Sequence, residues 1–210
     1  MRLTLRQILP TVTLLVLALF TPSAYSASKA VLVLGDSLSA EYGLVRGTGW
    51  VALLQKRLEQ NHIPTPIINA SISGETTSGG RTRLPALLQE YKPSVVVVEL
   101  GANDGLRGLS LPAAEGNLRA IVSASRKAGA TVLLLGMQIP PNYGSEYTKA
   151  FAATYLKIAK DTKSPLVPFF LERVALKPEL LQPDQLHPTA EAQPAILDTI
   201  WPYFKPLLVK

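Results

Sequence analysis

The sequence predicts an α/β protein: three layers, α/β/α, with a flavodoxin-like, five-stranded open parallel sheet in the middle. Five short apolar runs carry the strand signal, and four of them are closed by Gly or Ser. Stretches with helical spacing alternate with these runs, the order that builds a parallel sheet covered on both faces. No mixed Pro/Gly/Ser linker and no internal repeat divides the chain, so residues 27–210 are expected to form a single domain.

The first run, VLVL at 31–34, ends at Gly35. Residues 48–61 follow, with Trp50, Leu53, Leu54 and Leu58 on one helical face. The second run, PIINA at 66–70, ends at Ser71, and Leu84, Leu87 and Leu88 mark a helix over 78–91. The third, 94–100, holds four consecutive valines and ends at Gly101. A helix over 112–128 starts on a proline and stops before Gly129, the usual order of helix punctuation. The fourth run, TVLLL at 131–135, ends at Gly136, and Tyr147, Phe151, Tyr155 and Ile158 predict a helix over 145–160. The fifth run is 165–170. A last helix, 189–204, contains Pro194 and Pro202, which are expected to bend or divide it. All five strands read as buried on both faces.

The first 26 residues belong to another category. Arg2 and Arg6 precede an apolar run over 8–20, and Ala24-Tyr25-Ser26 supplies a small-residue cleavage pattern. This reads as a secretory signal peptide cut after Ser26, with the product periplasmic or secreted. Removing Arg2 and Arg6 lowers the formal charge from +6 to +4. The basic residues left are scattered, with no run beyond Arg126-Lys127, which argues against nucleic-acid binding. The chain has no cysteine, so disulfides, thiolate nucleophiles and thiolate metal sites are excluded. Two histidines are too few for an ordinary metal centre, and no phosphate-cradling glycine motif is present. No metal and no cofactor are expected.

In open parallel sheets, ligands bind at the carboxyl ends of the strands. Here those ends carry Gly35-Asp36-Ser37, then 71–76 (SISGET), then 101–105 (GANDG). A further loop, DQLHP, places His187 three residues after Asp184. A serine hydroxyl becomes a nucleophile when a base takes its proton, and histidine suits that task. An i, i+3 aspartate can reach the Nδ1 side of the ring, leaving Nε2 free to face outward. Ser37, on a strand-to-loop break, is the best-placed nucleophile, with Ser71 and Ser73 as alternatives. The G-x-S-x-G elbow is absent. Asp36 and Asp104 are expected to bond loop backbone, Glu99 to be a paired buried carboxylate, and His62 to end a helix. Leu106, Leu109, Leu111, Met137, Ile139, Pro140 and Tyr143 are either core or the wall of an acyl-chain groove.

GDSLSAEYG, NASISGETTSGG, ELGANDGLRG and DQLHP together resemble the four motif blocks of the SGNH hydrolases, also called the GDSL family. RLPALLQ, LPAAEGNL, QIPPNYG and PFFLE further resemble the branch of bacterial periplasmic thioesterase, lysophospholipase and arylesterase enzymes. The resemblance implies Ser37 as nucleophile, His187 as base and Asp184 as its orienting acid. It implies an oxyanion hole from the Ser37 and Gly74 backbone N–H groups and the Asn103 side-chain amide. Three positions depart from that pattern: Glu41 where a small residue is usual, Ala102 where glycine is usual, and Gln185 where glycine is frequent. The implied function is an exported serine esterase acting on a small-molecule or lipid ester, working as a monomer with no obligate protein partner. A carbohydrate O-deacetylase of the same superfamily and a non-catalytic binding protein are the rival expectations.

Overall fold

A computed structural model describes residues 30–208. Segment 1–26, read above as a signal peptide, lies outside the described residues. The elements alternate as β1 (Val31–Gly35), α1 (Trp50–Gln60), β2 (Ile67–Asn69), α2 (Thr77–Tyr91), β3 (Val95–Glu99), α3 (Ala102–Leu106), α4 (Leu111–Lys127), β4 (Thr131–Leu135), α5 (Ser145–Thr162), β5 (Leu166–Val167) and α6 (Gln193–Phe204). Every strand pairing is parallel, in the order β2-β1-β3-β4-β5. The chain leaves β1 first toward β2, then crosses to β3 on the other side. Right-handed crossovers therefore put α1 and α2 on opposite faces. α1 packs on α6, and α2 and α5 both pack on α4.

The core is what the apolar runs predict. Val31 to Leu34, Val95 to Val98 and Val132 to Leu135 are buried throughout. Helix punctuation follows local chemistry. The Thr76 hydroxyl accepts the Gly79 N–H at 3.3 Å and caps α2. Ser110 caps α4 just before Pro112, and Arg126 and Lys127 occupy its last turn.

Four expectations need correction. β2 is only half-buried because it is an edge strand, with β1 as its sole neighbour. β5 shrinks from six residues to two: Pro168 has no N–H to extend the ladder. α6 begins at Gln193, so Pro194 sits in its first turn and bends nothing; only Pro202 lies inside the helix. The segment after β3, read as a turn, forms the short helix α3.

Candidate active site

The site lies where β1 and β3 part, the point at which the chain reverses its direction across the sheet. β1 ends one residue before Asp36-Ser37. The loop after β5 returns to this edge and is held there by its own bonds. Leu181 and Pro188 form an antiparallel bridge. Gln182 donates from Nε2 to the carbonyls of Tyr42 (2.9 Å) and Pro188 (3.0 Å), tying the histidine loop to the serine loop. The Tyr42 ring lies 4.5 Å from the His187 ring, centroid to centroid.

Asp184, His187 and Ser37 form one continuous line. Asp184 Oδ2 lies 2.6 Å from His187 Nδ1, and His187 Nε2 lies 2.9 Å from Ser37 Oγ. Asp184 Oδ1 accepts the backbone N–H groups of Leu186 and His187, each at 3.0 Å. Partial burial pushes the Asp184 carboxyl up, but these bonds and the imidazole outweigh it, so its pKa is lowered.

Ser37, Gly74 and Asn103 line one cavity. Neither the Ser37 N–H nor the Gly74 N–H has a protein acceptor among the described residues. Gly74 sits at φ +80, a conformation that L side chains rarely adopt. The Asn103 amide nitrogen bonds Asp36 Oδ2 at 3.1 Å and the Glu75 carbonyl at 3.0 Å. Of the three candidate serines, Ser37, Ser71 and Ser73, it is Ser37 that the imidazole bonds.

A GDSL-like lipase/acylhydrolase family model matches residues 33–194. The chain belongs to the GDSL-like lipase/acylhydrolase family. Membership makes it a hydrolase of ester bonds. It is 50% identical over 192 residues to "Esterase TesA" of Pseudomonas aeruginosa, covering 91% of this chain and 96% of that one. It is 45% identical over 183 residues to "Thioesterase 1/protease 1/lysophospholipase L1" of Escherichia coli strain K12, covering 87% of this chain and 86% of that protein. The crystal structure of the psychrotrophic esterase EstA from Pseudoalteromonas sp., inhibited by monoethylphosphonate, superposes with a TM-score of 0.82 at 45% identity. That match covers 87% of this chain and all of the other.

The three departures from the GDSL pattern have distinct local causes. Glu41 and Gln185 both occupy positive φ, at 60° and 58°, where a residue without Cβ is cheapest. Glu41 offsets this by accepting the N–H groups of Gly47 and Gly49 at 2.8–3.0 Å, which closes its own loop. Gln185 donates to the Gln182 carbonyl at 3.3 Å. Ala102 begins α3 outside the positive-φ region, so a side chain is tolerated there. It is Gly101, at φ +125, that a Cβ would drive into the Tyr155 hydroxyl.

A cavity of about 330 Å³ opens over Ser37, walled by Leu38, Gly74, Asn103, Leu106, Ile139, Pro140, Leu171, Leu186 and His187. A larger groove, about 700 Å³, adjoins it and shares Ile139, Pro140, Leu171 and Leu186. Of the residues expected to wall such a groove, Leu106, Ile139 and Pro140 do so. Met137 is core, Leu111 is half-buried against the core, and Leu109 and Tyr143 are exposed. Leu38, Leu171 and Leu186 were not anticipated, although Leu38 and Leu186 directly neighbour Ser37 and His187 in sequence.

The remaining polar residues hold backbone. Asp104 is buried, and its carboxylate accepts the Thr77 N–H (2.9 Å) and hydroxyl (2.6 Å) at the start of α2. His62 follows α1 on the opposite edge of the sheet, with its N–H on the Glu59 carbonyl. Among the described residues no cluster of three or more His, Asp or Glu side chains is arranged to hold a metal.

Proposed function

We propose that the protein is an exported serine esterase that cleaves carboxylic acyl esters and thioesters through an acyl-enzyme. Aryl esters, lysophospholipids and acyl thioesters are its substrate classes. The observation that carries this reading is the line Asp184–His187–Ser37, at 2.6 and 2.9 Å, opening into an apolar cavity.

Ser37 Oγ attacks the acyl carbon as His187 Nε2 takes its proton. The carbonyl oxygen becomes an oxyanion, and the Ser37 and Gly74 N–H groups are free to donate to it. A charged oxyanion is a stronger acceptor than the neutral Glu75 carbonyl. The second amide hydrogen of Asn103 therefore shifts from that carbonyl to the oxyanion, while Asp36 keeps the first. Each such donor is worth ~3 kcal/mol in the transition state. His187 then passes its proton to the departing alkoxide or thiolate, leaving an acyl ester on Ser37. Water attacks that ester with His187 again as base, releasing the carboxylic acid and free Ser37. Asp184 holds the ring with Nδ1 protonated and stabilises the imidazolium.

The apolar walls favour an acyl chain over an acetylated sugar. A chain-length series separates the two: activity rising beyond acetyl supports the esterase, and acetyl preference supports the deacetylase. Export rests on the reading of residues 1–26; among the described residues no helix is long and apolar enough to cross a membrane. A mature N-terminus at Ala27, read by sequencing the exported protein, is the expected outcome. Gel filtration is expected to show a monomer. The decisive experiment is phosphonate labelling. A single adduct on Ser37, and a Ser37→Ala variant that folds but loses at least ~10⁴ in kcat, are expected. An unlabelled protein, or an active Ser37→Ala variant, overturns the proposal.

A further inference from the structure

Beneath the nucleophile lies a group that the reaction above does not use. Glu99 ends β3 and is fully buried, as is Asp36, the residue before Ser37. Glu99 Oε2 accepts the Asp36 N–H at 3.1 Å and the Ser39 hydroxyl at 2.6 Å. Glu99 Oε1 is buried with no donor aimed at it among the described residues. The Glu99 and Asp36 carboxyl groups lie close enough that each acts on the charge of the other. Two carboxylates repel; a carboxylic acid and a carboxylate bond. A single proton on one of the two relieves that repulsion.

The other contacts decide where that proton sits. Asp36 Oδ1 accepts the Leu38 N–H at 3.0 Å, and Oδ2 accepts the Asn103 amide at 3.1 Å. Both bonds favour an ionised Asp36. Glu99 has an oxygen with no donor and a neighbouring anion as acceptor. We propose that Glu99 is a positioning residue that works as a neutral acid, clamping the turn on both sides of Ser37 and, through Asp36, aiming the Asn103 amide.

The clamp is built tightly into the strand end. A Cβ on Gly35 would meet Glu99 Oε2 at 2.8 Å and the Ser39 side chain at 2.9 Å. Burial, reinforced by the charge on Asp36, pushes the Glu99 pKa well above the ordinary carboxyl range. Burial also pushes Asp36 up, to about 6. The ionisable groups facing the pair are His187, beside Asp36, and the buried Tyr155 of α5, which also feels Asp104. Tyr155 donates to the Leu100 carbonyl, and burial pushes its own pKa well up. Loss of the Glu99 proton at alkaline pH puts a second anion beside Asp36 and disturbs both the serine turn and Asn103.

This inference rests on Ser37 being the nucleophile, so wild-type labelling at Ser37 is established first; its failure would remove that premise rather than test Glu99. Glu99→Gln and Glu99→Leu are then compared on a naphthyl ester from pH 6 to 10, with folding checked by circular dichroism. Gln stays neutral, accepts from Asp36 N–H and Ser39, and donates to the Asp36 carboxylate. It is expected to keep kcat within ~3-fold at pH 7, and its kcat relative to wild type should rise toward pH 10. Leu is expected to lower kcat ~100-fold with KM changed less than ~3-fold, the scale of one lost oxyanion donor. A folded Gln variant that loses activity at pH 7 shows that an ionised Glu99 is needed and overturns the proposal. So does a Gln-to-wild-type ratio independent of pH, or a folded Leu variant with full kcat. If the Leu variant does not fold, the Gln activity and profile decide alone.

Discussion

Asp184→Asn separates the orienting role of the acid from its role in holding the loop. Asp184 Oδ1 accepts two backbone N–H groups, and an amide oxygen can accept them equally well. The Asn side chain is therefore pinned with its oxygen on the backbone and its NH₂ toward His187 Nδ1. An NH₂ there bonds only an unprotonated Nδ1, which puts the ring proton on Nε2, facing Ser37. That tautomer cannot take the serine proton. Restoring the productive tautomer breaks the new bond and sets two donors against each other, costing ~2 kcal/mol. The lost attraction between carboxylate and imidazolium is ~4 kcal/mol at an effective dielectric constant of 20. The Asp184 side chain is 39% exposed, so solvent screening cuts this to ~2 kcal/mol. The two terms together give ~4 kcal/mol, or ~1,000-fold in kcat. The assay is steady-state hydrolysis of a naphthyl ester at pH 7.5, alongside a melting curve matching wild type. A folded Asn variant within 10-fold of wild type would refute the tautomer argument.

Other perturbations test other parts of the structure. Leu171→Trp narrows the passage between the two cavities; kcat/KM for dodecanoyl esters should fall more than ~10-fold while butyryl esters are unaffected, read from a chain-length series. Gly101→Ala forces a side chain onto φ +125 and into the Tyr155 hydroxyl; it should cost ~2–4 kcal/mol in urea denaturation, from strain and the lost bond to Leu100. The raised pKa of Glu99 also acts on stability. The folded state holds a proton that the unfolded state releases above about 4.5, so stability falls as pH rises from there toward the folded pKa. The melting temperature of wild type should drop from pH 5 to pH 8, and that of Glu99→Gln should drop less.

The parts of the fold that could be read from sequence are those with a period or a terminator. β1, β3 and β4 are central, so burial on both faces makes them continuous apolar runs. β2 and β5 are edge strands; their apolar residues say nothing about which ladder bonds a proline or a solvent-facing side removes. α3 escaped notice because one helical turn has too few residues to show a period. At the site, Ser37, Asp184 and His187 were legible because each is a chemically distinctive letter beside a turn. The backbone donors were not: an N–H has no letter, and Gly74 stood out only through the family resemblance. Glu99 was read as a paired carboxylate, but its partner Asp36 is 63 residues away, and no local pattern could identify it. Leu171 and Leu186 come from the long loop after β5, which carries no periodic signal.

Two aspartates of identical chemistry flank this site with opposite shifts, and their places in the fold explain why. Asp184 sits on a returning loop that reaches water, so its donors outweigh a modest desolvation. Asp36 directly follows β1, the strand beside β3, and is fully buried. The crevice exists because the chain diverges from β1 in both directions, so the residues forming its floor are necessarily buried. Leucines there would be more favourable for stability than two acids sharing a proton. Yet an apolar floor cannot accept the Asp36 and Leu38 N–H groups, the Ser39 hydroxyl and the Asn103 amide at fixed angles beneath the attacking oxygen. Polar groups are buried at the one place where a small displacement of the serine or the oxyanion donor would cost most in rate.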